Sequence, residues 1–298
     1  MIFCEAVSFV FGNAMSKTYK ILITSQKGGV GKSTLSVNLA AYFNKMTKAR
    51  AALVDLDHQA TSSKWLKGAD GDAQKHSTFN LERGVSNGIT SLNIARILRN
   101  ASQSSDIVIT DLTWNDLLPK EFFFEFDFLL VPCSLSSIEI DSTVNFLERI
   151  SHIINSKLRK PPALIIVPSR IREIDDYSRM LRKTFNFEFF LSPPVTYKTE
   201  VQDYFCSSFL FESDNVEIRQ NFIEFARSVE ALIVNTETET ETPQRKIPVS
   251  AARDAGTVLD RFLLSRTALR ERNHAAAHDL SHLKARDLSV PSFLSQRK

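Results

Sequence analysis

Cysteine is scarce in this 298-residue chain: Cys4, Cys133 and Cys206 are the whole complement. They are odd in number and far apart, and no two have the spacing of a metal-ligand pair. They read as buried or inert thiols in a reducing cytosol. Long apolar runs are missing too. Nothing approaches the roughly 20 residues of a transmembrane helix. Residues 1–14 are apolar, yet they carry Glu5 and no basic start, which argues against a secretory signal. Met15-Ser16-Lys17 lies just before the first strand, so residues 1–18 read as a dispensable leader, an over-long start. One-sided charge is also lacking, since the formal net charge is only +3, too small to announce a polyanion partner. The charge is uneven, however. From Pro243 to Lys298 there are 11 Lys+Arg against 5 Asp+Glu, and the remainder has 26 against 29, so a mildly acidic body carries a basic tail.

What is present is organised around Gln26-Lys27-Gly28-Gly29-Val30-Gly31-Lys32-Ser33-Thr34. The apolar Ile21-Leu22-Ile23 precedes it and Leu35 to Phe43 follows, giving strand, glycine loop and helix. Glycines let successive backbone N–H groups turn toward one point, where the helix N-terminus adds partial positive charge. Lys32 can reach β- and γ-phosphates, and the Ser33 hydroxyl can ligate Mg²⁺. A glycine-rich turn with two solvated lysines is the bland alternative, and the strand–loop–helix context weighs against it. The ordinary pattern asks for Gly at position 26. This chain has Gln there, followed by a second lysine, Lys27.

Further along, Ala51 to Asp57 reads as a buried parallel strand ending in two acids, Asp55 and Asp57. Carboxylates at a strand's C-terminal end lie where open α/β sheets bind ligands. Residues 67–87 are polar and glycine-dotted and read as a surface segment. A helix is expected from Ile89 to Leu98, with Leu92 and Ile97 among its apolar positions, then a strand from Asp106 to Asp111. Phe128–Val131 is expected as a central strand ended by Pro132, with the preceding phenylalanines in the core or at a subunit interface. One helix face should hold Ile140, Val144, Leu147, Ile154 and Leu158. Ala163–Pro168 and Phe187–Leu191 read as strands, and Ile218, Phe222, Phe225, Val229, Leu232 and Ile233 as a helical stripe. Residues 236–243 form a Thr/Glu linker with nothing apolar to bury. The tail, 244–298, holds a basic amphipathic helix candidate and His274, His278 and His282 on one helical face; without a supporting cluster, a metal site there is disfavoured.

Lys27 to Thr34 resembles the deviant Walker A loop of the ParA/MinD family of ATPases. Asp55-Leu56-Asp57-His58-Gln59 resembles that family's Asp-x-Asp-Pro-Gln, with His58 in place of Pro. The run closing on Asp111 resembles a Walker B motif. The family usually continues with Thr-Pro-Pro or a glycine, and this chain has Leu112-Thr113-Trp114-Asn115-Asp116. Asp127-x-x-Leu-Val-Pro resembles the next strand of the family, and Val195 to Lys198 the segment before its penultimate helix. Ser169-Arg170 stands where the family has an Asn-Arg pair whose Asn reads adenine, and no Asn-Lys-x-Asp is present, which favours ATP over GTP. The resemblance spans roughly residues 19–234. Within the family, Asp-x-Asp-His-Gln followed by Trp65-Leu66 looks more like partition ATPases than like MinD.

The resemblance implies an α/β, P-loop NTPase-like fold: a mostly parallel twisted sheet with helices on both faces, over residues 19–235. It implies nucleotide contacts from Lys27, Gly28, Gly29, Val30, Gly31, Lys32, Ser33 and Thr34, with ATP and Mg²⁺ as cofactors. Lys27, Lys32 and Asp57 would carry the chemistry, Asp57 positioning the attacking water. Ser33, Asp55 and Asp111 would form the metal site, and Gln59 would fall in a switch segment. Lys27 would reach across an ATP-bound homodimer to its partner's phosphates. Basic residues near the C-terminal helices bind DNA nonspecifically in the family, and Arg219 and Arg227 are the candidates here. Only 25 residues precede the loop, so the N-terminal helix-turn-helix domain of larger partition proteins is not expected. The implied function is DNA partition in a bacterial cytoplasm, nucleoid-associated when ATP is bound, with hydrolysis stimulated by a ParB-like centromere-binding adaptor. Two alternatives stay open: positioning of a membrane or protein cargo, and a nucleotide-gated scaffold with little turnover.

Overall fold

The computed structural model describes residues 17–57, 59–69, 77–80, 91–114, 118–171, 177–196 and 198–241. The chain divides into residues 1–243 and 244–298. The second unit, with its three histidines, lies outside the described residues, as do Cys4 and His58.

The first unit is a parallel sheet in the order β3-β2-β4-β1-β5-β6-β7, with β8 also on β6. The strands are β1 (Tyr19–Ser25), β2 (Ala51–Asp55), β3 (Ser77–Asn80), β4 (Ile107–Thr113), β5 (Phe128–Cys133), β6 (Ala163–Ile171), β7 (Phe190–Leu191) and β8 (Val195–Thr196). Every described pairing is parallel. The reason lies in the residues. Tyr19, Ile21 and Ile23 of β1 face one core while Leu22 faces another, and β4, β5 and β6 repeat the alternation. With both faces apolar, each strand must be covered twice. Helices α1 (Lys32–Met46), α2 (Thr61–Ala69) and α7 (Val216–Glu241) supply one cover. Helices α3 (Ser91–Ser102), α4 (Ser137–Arg149), α5 (Ser151–Ile154) and α6 (Tyr177–Thr184) supply the other. This is the fold expected. Among the described residues no helix is long and apolar enough to cross a membrane.

Several local expectations change. The 67–87 segment begins with the last turn of α2 and contains strand β3, which among the described residues pairs only with β2. A four-residue strand needs no apolar run, so periodicity missed it. Pro132 lies inside β5 instead of ending it. Beyond Leu130 the strand has lost its β1 neighbour and is laddered only to β6, where a missing N–H is tolerated. The helix expected to run through Leu158 breaks at Ile150, and Leu158 is 99% exposed. In α3, Ile94 and Leu98 are buried while Leu92 points outward, and Ile89 lies outside the described residues. Phe122 and Phe123 are core residues in a 3₁₀ segment, Lys120–Glu125. The α7 stripe is as expected, but the helix runs on to Glu241 through the residues read as linker. A nucleated helix extends at little cost through Thr and Glu.

Helix α2 follows the Asp55–Asp57 strand end and docks tightly. The Trp65 indole N–H donates to the Ser208 carbonyl at 2.9 Å, and its ring meets Phe205 edge-on at 5.5 Å. A Cβ on Gly68 would lie 2.6 Å from the Cys206 carbonyl oxygen and 2.8 Å from its Cβ. Because a backbone atom blocks the way, Gly68→Ala is expected to cost about 1–3 kcal/mol. That outweighs the gain of up to about 1 kcal/mol that alanine brings to a helix interior. The melting temperature should fall by several degrees, and an unchanged melting curve would show that α2 does not pack this closely.

Candidate nucleotide site

The glycine loop leaves β1, a central strand, at the sheet's C-terminal edge, where open α/β sheets place ligands. Gly29 (φ +75°) and Gly31 (φ +95°) take left-handed conformations that other residues resist. Gly31 thereby turns the chain directly into α1 at Lys32. The Lys27 carbonyl is held from two sides, accepting the Ser25 hydroxyl at 2.7 Å and the Lys32 ammonium at 3.0 Å. Lys27 itself is half-buried. Lys32 is 6% exposed; burial lowers its pKa, and the charges of Asp111 and Asp57 raise it in opposition.

The carboxylates converge on the face that α1 and α2 cover. Asp55 and Asp111 are register partners on β2 and β4. Asp111 is fully buried, and neither of its oxygens meets a hydrogen-bond partner at bonding geometry. Burial pushes its carboxyl up to about 6. The nearby Ser33 hydroxyl pulls it back, Asp55 pushes it further, and Lys32 and Ser62 pull weakly. Asp55 is differently engaged: one oxygen accepts the Asp57 N–H at 3.1 Å, the other the Ser63 N–H at 2.9 Å. It clamps the turn and caps the start of α2 from outside the helix. Asp57 accepts the Gln59 N–H at 3.0 Å and, on its other oxygen, the Thr113 hydroxyl at 2.7 Å.

An unpartnered buried carboxylate beside a helix-start hydroxyl is what a hard divalent cation with oxygen ligands requires. Ser33 and Asp111 therefore fit Mg²⁺, with Asp55 adjacent. No group of three or more His, Cys, Asp or Glu among the described residues forms a metal cluster by itself, so the phosphates would complete such a site.

Beside Gly29–Gly31 lies a largely apolar cavity of roughly 270 Å³, walled by Ser169, Val195, Thr196, Leu210 and Phe222. Its polarity and position suit a nucleoside. Ser169 donates to the Val30 carbonyl at 2.9 Å, and Arg170, at φ +58°, donates to the Gly29 carbonyl at 3.1 Å. The pair that stands where the family reads adenine thus staples the loop to β6. Asn221 takes the Thr196 N–H at 3.0 Å and donates to the Pro194 carbonyl at 2.8 Å, which holds the cavity wall.

The structure brings together Lys27, Lys32, Ser33, Asp55, Asp57 and Asp111. It does not bring Arg219 and Arg227 to that site, for both are on α7. Arg219 donates to the Ser213 carbonyl, and Arg227 lies beside Tyr42 and Glu230. Sequence reasoning missed Ser63, Thr113 and the structural work of Ser169 and Arg170. Their partners are from 8 to 141 residues away, so no spacing marks them.

Comparison with known proteins identifies the family. A model of the CobQ/CobB/MinD/ParA nucleotide binding domain matches residues 21–207. The chain is 47% identical to the chromosome-partitioning ATPase Soj of Thermus thermophilus over 51 residues, 17% of this chain and 20% of Soj. It is 23% identical over 157 residues to the maintenance of carboxysome distribution protein A of Halothiobacillus neapolitanus, 51% of this chain and 68% of that protein. The structure of apo McdA from Cyanothece superposes with a TM-score of 0.57 at 15% identity, covering 71% of this chain and 99% of the other. With its family model spanning well over half the residues and its phosphate loop and carboxylates in place, the chain belongs to the CobQ/CobB/MinD/ParA nucleotide-binding family.

Proposed function

We propose that this protein is a ParA-type partition ATPase: it binds ATP and Mg²⁺, dimerises on ATP, grips DNA nonspecifically and releases it on hydrolysis. The observation that carries the catalytic half is the buried, unpartnered Asp111 carboxylate beside Ser33 and Lys32 at the mouth of the glycine loop. In this reading the loop amides and Lys32 bind the phosphates, and Ser33 and Asp111 hold Mg²⁺. Held by Ser33 and Asp111, Mg²⁺ would supply positive charge that offsets the negative charge developing on the phosphates. Asp57 orients a water whose oxygen bonds to the γ-phosphorus. The bond from that phosphorus to the bridging oxygen breaks, its electron pair leaves with ADP, and both protons of the water end on the released dihydrogen phosphate. Lys27, its backbone pinned at the carbonyl, presents its side chain toward a second protomer, where it stabilises the transition state as an arginine finger does.

The DNA half rests on the likeness to Soj and to the family motifs. It makes the protein a cytoplasmic, nucleoid-associated ATPase that answers to a ParB-like adaptor. The likeness to a carboxysome distribution protein favours a second reading, the same ATP cycle with a protein cargo. One experiment tests both: DNA co-sedimentation without nucleotide, with ADP and with ATP, at two salt concentrations, for the full chain and Lys27→Gln. The expected result is ATP-only binding that falls steeply with salt, because phosphate contacts release counterions. Lys27→Gln should lose ATP-dependent dimerisation and the DNA binding that follows. ATP-dependent dimerisation without DNA binding would favour the protein-cargo reading, and DNA binding indifferent to nucleotide would overturn the switch.

A further inference from the structure

Asp57 can act on a water only if its carboxylate is held at one rotation, and the structure shows what holds it. Its Oδ2 accepts the Thr113 hydroxyl at 2.7 Å, and its Oδ1 accepts the Gln59 N–H at 3.0 Å. The two donors differ in kind. Gln59 belongs to the same short turn as Asp57 and moves with it. Thr113 is the last residue of β4, in register with Ser25 at the base of the glycine loop. The next residue locks that strand end. The Trp114 N–H donates to the Ser25 carbonyl at 3.1 Å. Its indole is 1% exposed, stacked on Phe122 with centroids 6.0 Å apart and packed on Phe123 and Phe146. The hydroxyl is therefore mounted on a strand end held by a backbone hydrogen bond and by aromatic packing, although the buried Trp114 indole N–H meets no hydrogen-bond partner.

We propose that Thr113 is a positioning residue: its hydroxyl sets the rotation of the Asp57 carboxylate that orients the attacking water. The inference rests on the ATPase reading above. It also gives a role to a departure from the family pattern, since a proline following the Walker B threonine can donate nothing, whereas Thr113 donates from the corresponding place. Thr113 touches no phosphate in this scheme, so its loss should lower turnover and leave ATP binding alone. A carboxylate free to rotate misplaces the water by a fraction of an ångström to about 1 Å, and such an error costs up to about a hundredfold in rate.

The test measures ATP turnover for the full chain, Thr113→Val, Thr113→Ala and Thr113→Ser, together with nucleotide-free crystal structures of each. Two hydroxyl-free variants guard against one failing to fold. The expected result is a kcat about tenfold or more below wild type for Val and Ala, with KM for ATP within about twofold, and recovery to within about threefold by Ser. Wild-type kcat in either hydroxyl-free variant would overturn the proposal, and so would a Ser variant as slow as Val. Should the wild-type chain itself not turn over, the ATPase reading fails separately and the crystal structures decide. An Asp57 carboxylate rotated in Val and Ala but restored in Ser supports the positioning role, and one unmoved in all three overturns it.

Discussion

Lys32→Ala is expected to lower ATP turnover by at least about a hundredfold, the scale seen when a single charge-stabilising donor is removed from a preorganised site. The cause is local. Lys32 is the first residue of α1, 6% exposed, and its ammonium is already within the loop, donating to the Lys27 carbonyl. The fold should tolerate the loss. Burial disfavours the charged ammonium, so its removal relieves a penalty, while the attraction to Asp111 and Asp57 is lost at the same time. These effects oppose, and the melting temperature without nucleotide should shift by no more than a few degrees. Turnover within tenfold of wild type would mean that the γ-phosphate is held elsewhere.

Asp111→Asn should move activity and stability in opposite directions. Burial holds the Asp111 carboxyl at about 6 in the folded chain, above its ordinary 3.8. Between these values the folded state keeps a proton that the unfolded chain has released. Stability therefore falls as pH rises through that window, and the whole cost is present above about pH 6. The gap corresponds to about 3 kcal/mol at most. Asn carries no charge to bury, so the nucleotide-free variant should melt several degrees above wild type at pH 7.5, with the difference shrinking toward pH 4. The same change removes the carboxylate that fits Mg²⁺. Turnover should drop at least about a hundredfold, and the stabilisation that Mg²⁺ with ATP gives the wild-type chain should disappear. Thermal melts across pH, with and without Mg²⁺ and nucleotide, read both effects. A variant that melts below wild type at pH 7.5 would show that Asp111 is compensated in the folded protein.

The phosphate loop and the β-strands were legible in the residues because they depend on local rules. Three glycines within Gly28–Gly31, next to Lys32 and Ser33 and between an apolar run and a helix, specify a backbone conformation wherever they occur. Continuous apolar runs such as Ile107–Ile109 and Leu164–Val167 announce strands covered on both faces, and α7 showed its stripe because helical periodicity is also local. Asp55, Asp57 and Asp111 could be nominated from strand ends and from the family pattern alone.

Their division of labour was decided only in three dimensions. Asp55 clamps backbone amides, Asp111 lies unpartnered, and Asp57 is bound to Thr113, although all three are aspartates in or just after the C-terminal halves of neighbouring strands. Which state each adopts depends on β4 lying between β2 and β1, and on α1 and α2 closing one face. Strand β3, the outward Leu158, the docking of Gly68 on Cys206 and the staple of Ser169 and Arg170 onto the loop belong to the same class. Periodicity and propensity describe what a segment can bury, whereas hydrogen bonds between segments far apart in the chain exist only after the sheet has set its strand order.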